Sequence, residues 1–414
     1  MLDSSTPVVI LQAKRHGPLG IARSLGRWGV PVYIVEANPF ALPAFSRYVR
    51  GKFRWDFEHE SAEENVKLLI EAGRKIGRPS ILIPTTDFGA SFVAAHAGRL
   101  REWFRFQDMP FDLVQSLADK KEMFLLAKRL GIPTAECLFP NSEEDVLEYG
   151  ERAMFPVMFK GIDGVRLERF LGRRMFIVEG AAELLKRYES LPESERENVM
   201  LQEYIPGDAE VCCYFNRKSE CLIGFAGHKI RLFPTYTGAT SLGVCRGNEA
   251  VETITRQFMK AVRYQGILDI GYRYDARDGK YKVIDVNPRI GATFRLFVGE
   301  NGMDVARAMY LDLTGQPVQA APAREGRKWI VEDQDVISSF RYWRDGKLGF
   351  KEWATSFSGI REGACWALDD PLPLLAMAVL DVQGGFKRRA PSVGSNPPAP
   401  AAEKEPAAQL VARD

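Results

Sequence analysis

The chain opens with an apolar run at residues 7–11, a glycine-bearing loop at 16–20, a helical stretch at 21–28 and a second apolar run at 32–35 that stops at Glu36. Short apolar runs bounded by turn residues read as buried strands, so the order is strand, helix, strand. Another such run at 80–84 ends on Thr85, Thr86 and Asp87 before a further helical stretch. Open sheets built this way bind ligands at the carboxyl ends of their strands, where Glu36 and Asp87 fall. The glycines of the loop serve equally to turn the chain or to approach a phosphate.

From residue 116 the pattern changes. A helix is predicted over 116–130, with Gly131 and Pro133 as stop signals. A strand at 156–160, a glycine- and arginine-rich loop to 174, a strand at 175–178, a helix near 181–188 and a strand at 199–204 make a small α+β unit. Beyond it, strands are predicted at 211–216, 222–233, 268–275 and 281–286, the last two joined by a turn at 276–279, and a helix follows at 304–314. Residues 327–381 are less readable, although Trp329, Trp343, Trp353 and Trp366 point to a packed piece. The expected units are 1–115, 116–205, 206–384 and a Pro/Ala-rich tail, 385–414, that cannot bury a core and should be disordered.

Charge and cysteine content narrow the partners. With 56 basic against 54 acidic residues in 414, no polyanion-binding surface is indicated, so nucleic acid is not an expected partner. The six cysteines contain no CxxC pair or Cys/His cluster, which fits reduced thiols in the cytoplasm. No stretch approaches the ~20 apolar residues that cross a bilayer, and no membrane partner is expected.

Four segments carry candidate chemistry. In residues 283–289, Asp285 and Asn287 share one face of a strand and Arg289 follows. A carboxylate and an amide oxygen so placed suit Mg²⁺, and Arg289 suits a phosphate or carboxylate; an ordinary strand entering a proline turn has the same look. Lys160 ends an apolar strand as a phosphate counter-charge or as a solvated strand end, and Lys120 has the same two readings. Residues 202–210, with Gln202, Glu203, Tyr204, Ile205 and Glu210, offer backbone groups to a purine edge and a carboxylate to ribose hydroxyls, or a plain turn. Lys229 and Arg231 should share a strand face, toward a polyphosphate or toward solvent.

Taken in order, residues 119–136 (DKKEMFLLAKRLGIPTAE), 155–161 (FPVMFKG), 201–210 (LQEYIPGDAE), 228–234 (HKIRLFP) and 281–289 (YKVIDVNPR) resemble the ATP-grasp superfamily. The resemblance covers roughly residues 5–315. It implies an ATP-grasp fold of mixed α/β and α+β class with an N-terminal Rossmann-like domain, and the unit 116–205 as a lid. It implies a ligase that phosphorylates a carboxylate with ATP and passes the acyl group to an amine. Lys120 and Lys160 would contact phosphates, the backbone of Glu203 and Ile205 would hold adenine, Gln202 and Tyr204 would belong to the same ATP site, and Glu210 would bind the ribose. Lys229 or Arg231 would face the triphosphate. Asp285, Asn287 and Asp269 would hold Mg²⁺ or Mn²⁺, and Arg289 would steady the phosphorylated intermediate. The acceptor would lie near His16, Gly17, Glu36, Asp87 and Arg295, with a homodimer as an assembly open to it. Rivals are a bicarbonate-using carboxylase-like enzyme and a nucleotide-binding regulator without turnover. One departure is expected at the metal site: where the superfamily pattern has a second acid on the preceding strand, this chain has Gly271, which a hairpin at 276–280 sets opposite Asp285, with Asp269 opposite Asn287.

Overall fold

The computed structural model describes residues 2–217 and 220–378, so the tail at 385–414 lies outside the described residues. The strands form three sheets. The first is parallel, in the order β3-β2-β1-β4-β5, from β1 (Val8–Leu11), β2 (Val32–Val35), β3 (Val49–Phe53), β4 (Ser80–Pro84) and β5 (Phe104–Arg105). Neighbours are added on opposite sides of β1, so the crevice outside the ends of β1 and β4 is a topological switch point. The second is antiparallel, β6-β9-β7-β8, from β6 (Cys137–Leu138), β7 (Val157–Gly161), β8 (Met175–Val178) and β9 (Val199–Glu203). The third runs β14-β13-β10-β11-β12-β15-β16, from β10 (Ala209–Arg217), β11 (Glu220–Phe233), β12 (Ala239–Cys245), β13 (Gly266–Asp275), β14 (Lys280–Asn287), β15 (Lys328–Ile330) and β16 (Ile360–Gly363). This is the ATP-grasp arrangement, with a Rossmann-like parallel sheet ahead of it.

Alternation along the large sheet divides its core. Val211, Cys213 and Phe215 of β10 face Phe294, Phe297 and Trp329 and share a cluster with Ile21, Ala22 and Leu25 of the N-terminal unit. Cys212, Tyr214, Ile270 and Tyr272 point the other way, onto Val251 and Phe258 of the helix Glu249–Ala261. The four-stranded sheet has a separate core of Val157, Phe159, Leu167, Leu184 and Leu201. Two units are therefore fused through common apolar packing, and the third keeps its own.

The structure differs from the sequence reading in several places. Residues 16–20 are not a loop: the helix runs His16–Gly26, because Pro18 falls in the first turn, where no amide hydrogen is needed. Its Gly17 and Gly20 allow contact with Ala292 and Phe294, where a Cβ would approach to 3.0 and 3.1 Å. The predicted helix 116–130 is two, Phe111–Ala118 and Lys120–Arg129, because Asp119 adopts an extended backbone and caps the second through the Glu122 amide. The loop before 174 contains the helix Gly164–Leu171, capped by Asp163 and anchored by buried Leu167. The helix Ala62–Ile76 went unread despite its Ser61/Glu64 capping box and Gly77 stop.

Of the four tryptophans in 327–381, Trp329 alone is buried; Trp343, Trp353 and Trp366 are exposed. That segment nevertheless closes the molecule. Arg23, buried in the first helix, donates from Nε to Asp370 Oδ2 at 2.9 Å and from its Nη atoms to the carbonyls of Ala364, Cys365 and Asp370. Arg27 binds Asp369 with two bonds of 2.9 Å.

Candidate active site

The β13–β14 hairpin sets Gly271 opposite Asp285 and Asp269 opposite Asn287. Asp269, Gly271 and Arg273 occupy alternate positions of β13 and so share a face, which Lys229 joins from β11. Burial pushes the Asp269 carboxyl up to about 6, against the pull of Lys229 and Arg289. Asn287 Nδ2 donates to Asp269 Oδ1 at 3.2 Å and Asp285 Oδ2 at 3.0 Å, while its Oδ1 accepts from Arg289 Nη2 at 2.9 Å. Two carboxylates converge here on one donor group, as they would on a cation. Among the described residues no three His, Cys, Asp or Glu gather as a metal site. The donor set is therefore two carboxylates and an amide, all-oxygen once the amide turns, and it fits a hard divalent cation.

Two glycines shape this cluster. A Cβ on Gly291 would lie 2.0 Å from Asp269 Oδ2, so only glycine lets the loop pass. A Cβ on Gly271 would meet nothing closer than Lys229 Nζ at 3.8 Å, and its φ is not left-handed, so a side chain fits there. Burial lowers the Lys229 ammonium pKa, with Asp269 and Asp285 raising it.

The β7 and β9 strands bring Lys160 and Gln202 into this region. Lys160 Nζ is buried and donates to Gln202 Oε1 at 2.6 Å, and Gln202 Nε2 donates to Cys137 Sγ at 3.4 Å. Burial drives the Lys160 ammonium down to about 8, with Lys120 and Arg273 adding to the fall and Cys137 and Asp285 opposing it. The sheets thus place three cations and Asp285 within mutual electrostatic reach. Lys120 Nζ donates to the carbonyl of Ile162, beyond β7, at 2.7 Å.

The connection into β10 is engaged in structure as well. Glu203 accepts from Arg277 at 2.7 Å and Lys282 at 2.9 Å, and its own amide donates to the Glu136 carbonyl. That amide is consequently committed within the fold. Glu210 is fully buried; its Oε1 meets His228 Nδ1 at 3.1 Å and Arg246 Nη2 at 2.9 Å, while Oε2 has no protein partner. A buried carboxylate oxygen left open is a place for an external donor.

Two expectations fail on placement. Arg231 does not share the Lys229 face, because a bulge between them breaks the alternation; it is buried against Asp335, with bonds of 2.8 and 2.7 Å, and Ser356. Arg295 is likewise bound inside the fold, to Glu362 at 2.8 and 2.6 Å and to Asp304.

The remaining acceptor candidates lie at the end of the parallel sheet. Asp87 meets Arg289 Nε at 2.8 Å, joining this end to the metal-site strand. Glu36 is buried, which raises its carboxyl, and accepts from the Asn38 amide at 3.0 Å. His16 packs its ring 5.7 Å from that of Trp329, and burial lowers its pKa to about 4, so it is neutral at pH 7. Gly17 is consumed in helix packing.

Sequence reading missed Arg273 and Gln12. Arg273, which donates to the Gly207 carbonyl at 3.0 Å and to that of Tyr236, was reachable from the two-residue period through Asp269 and Gly271. Gln12 follows β1 with φ 54°, unusual for a non-glycine residue, and its amide accepts from Thr86 and donates to Glu58 at 3.1 Å. Nothing in the sequence marks that conformation.

No family model matches the chain. It is 25% identical over 325 residues to D-aspartate ligase of Enterococcus faecium, covering 74% of this chain and 76% of that protein. It is 24% identical over 297 residues to the C-terminal section of carbamoyl phosphate synthase large chain of Methanopyrus kandleri, covering 66% of this chain and 54% of that one, so it spans about half the length of that relative. The biotin carboxylase domain of 2-oxoglutarate carboxylase from Hydrogenobacter thermophilus, solved with MgADP, ADP and bicarbonate, superposes with TM-score 0.60 at 15% identity, covering 79% and 74% of the two chains. With three sheets in this order, the chain has the ATP-grasp fold, and its sequence is similar to those of D-aspartate ligase and a carbamoyl phosphate synthase large chain.

Proposed function

We propose that the chain is an ADP-forming ligase that activates a carboxylate as an acyl phosphate and couples it to an amine, acting on small molecules in the cytoplasm. The observation that carries this is the gathering of Asp269, Asp285, Asn287, Arg289 and Lys229 on one face of the large sheet, with Lys160 approaching from the small one.

A carboxylate is a poor electrophile because oxide is a poor leaving group. Moving the γ-phosphoryl group of ATP onto its oxygen releases ADP, and the amine nitrogen then attacks the carbonyl carbon and expels phosphate. Such transfer needs positioning and charge neutralisation rather than a nucleophilic side chain. Lys120, Lys160 and Lys229 meet the phosphates, Glu210 Oε2 accepts from ribose, and Arg289 holds the acyl phosphate. A magnesium or manganese ion held by Asp285, Asn287 and Asp269 supplies neutralisation of the phosphate oxygens. The unit built on β6–β9, with its own core, closes as a lid and excludes water, whereas Leu117, Met123 and Ala127 of the expected unit 116–205 pack on the large sheet. The amine binds near Glu36 and Asp87, whose carboxylates can accept its N–H hydrogens and the proton it gives up, leaving its lone pair for the attack.

The test is ADP release from the purified chain with panels of amino acids and small carboxylates. Release that needs an acid and an amine together is expected. Nucleotide binding with no stimulated turnover by any pair would favour a regulator, for which Gly271, in place of an acid, is the specific observation.

That glycine also sets the metal demand. Gly271→Asp is expected to lower the Mg²⁺ concentration giving half-maximal turnover several-fold, because the added carboxylate fits beside Lys229 and Asp285; Asp269→Asn should raise it. Metal titrations of both variants check this, and unchanged midpoints would move the cation elsewhere.

Lys160 gives a pH dependence. In the free protein its ammonium loses its proton as pH rises through about 8, and the neutral amine no longer attracts phosphate. ATP affinity should therefore weaken above that value. Calorimetric titrations on either side of it, in wild type and Lys160→Met, should show the decline only in wild type.

A further inference from the structure

The helix Glu332–Arg344 carries its amphipathicity reversed. The side packed on β11 and β12 presents Asp335, Ser338 and Ser339, all buried, with Ser338 Oγ donating to the Leu232 carbonyl at 2.8 Å. The outward side presents Val336, Ile337, Phe340 and Trp343, which are 71, 42, 59 and 60% exposed. The next helix, Phe350–Ser356, adds Phe350 at 77% and Trp353 at 37%. The rings pair, Phe340 with Trp343 at 5.9 Å and Phe350 with Trp353 at 5.7 Å. Large apolar side chains exposed along the outer side of one helix, and again on the next, mark a surface that is covered in use.

Charge identifies what covers it. From Phe340 to Trp353 the exposed charged residues are Arg341, Arg344, Lys347 and Lys351 against Asp345 and Glu352. Arg344 and Asp345 pair with each other, and Asp345 also meets the Tyr236 hydroxyl, which leaves Arg341, Lys347 and Lys351 against Glu352. A two-fold contact between copies would set this cationic strip against itself, whereas an anionic surface complements it. Aromatic rings beside lysine and arginine also make up the side chains that sit at headgroup level in a bilayer.

We propose that this face docks on an anionic lipid bilayer, with Phe340, Trp343 and Phe350 entering the headgroup layer and Arg341, Lys347 and Lys351 meeting lipid phosphates. The expectation of no membrane partner rested on the lack of a spanning segment. No described helix is long and apolar enough to cross a membrane, but a face lying on the surface needs none. The proposal stands apart from the ligase reading.

The full chain is sedimented with phosphatidylglycerol or phosphatidylcholine vesicles. Salt-sensitive binding, about ten-fold or more tighter to phosphatidylglycerol, is expected. Phe340→Ser/Trp343→Ser and Lys347→Glu/Lys351→Glu should each reduce it about ten-fold or more, with melting temperature unchanged, since these side chains are exposed. Absence of binding to phosphatidylglycerol, or binding undiminished in both variants, overturns the proposal. So does a concentration-dependent dimer in sedimentation velocity that Phe340→Ser/Trp343→Ser dissolves, which would make a second copy the occupant.

Discussion

Arg231→Met is expected to lower folding stability by about 3–5 kcal/mol while leaving ATP affinity unchanged. The guanidinium binds both oxygens of Asp335 and the Ser356 hydroxyl, Ser241 Oγ adds a third bond to Asp335 at 3.1 Å and Ser339 Oγ a fourth at 3.4 Å. Both ionic side chains are almost fully buried. Without Arg231 a carboxylate is left in the interior with two hydroxyl donors, Ser241 and Ser339, and no counter-charge. Replacing both partners, as in Arg231→Met/Asp335→Leu, should recover much of the loss, because the isolated charge and not the missing bond is the larger cost. Denaturant titration measures the stability and calorimetry the affinity. Intact stability with weakened ATP binding would return Arg231 to the triphosphate, where its spacing from Lys229 had put it.

The second large effect is expected at Lys160. Lys160→Met should weaken ATP binding by about ten- to a hundred-fold, the range of one or two hydrogen bonds to a charged partner, while melting temperature holds or rises. Methionine fills a similar volume on β7. It also removes an ammonium that is desolvated in the free protein and has, among the described residues, one hydrogen bond, to Gln202. The combination of stability kept and affinity lost is what separates a ligand-directed lysine from one that holds the fold. Unchanged affinity in the folded variant would remove Lys160 from the site.

How much of this was legible in the sequence depends on the range of the interactions concerned. The hairpin pairs Gly271 with Asp285 and Asp269 with Asn287 as the sequence suggested, but not for the expected reason: the turn closes with Asp275 opposite Lys280, and a bulge between Gly271 and Tyr272 supplies the extra residue. The burial of Lys160 at the end of an apolar run follows from local sequence. Arg231 fails because one bulge, with no sequence mark of its own, reverses the faces beyond it. Arg295 fails because its partner Glu362 lies 67 residues onward, in a segment whose tryptophans suggested a core that only Trp329 enters. The start of the first helix was misplaced by reading Gly17, Pro18 and Gly20 as turn formers, when tertiary contact with Ala292 and Phe294 makes them helix-packing residues. The bond from Arg289 to Asp87, which joins two candidate sites, spans 202 residues and leaves no periodic trace.

The clasp of Arg23 and Arg27 on Asp370 and Asp369 has a consequence for the order of folding on the ribosome. The sequence separations are 347 and 342 residues, so the first helix emerges long before its carboxylates exist. Until they arrive, a buried arginine has no counter-charge, and the parallel sheet can assemble early but cannot reach its final stability. Such distant closures also raise contact order, which slows the last step of folding. The nascent N-terminal unit should therefore stay sensitive to proteases until synthesis has passed Asp370, and harden abruptly afterward.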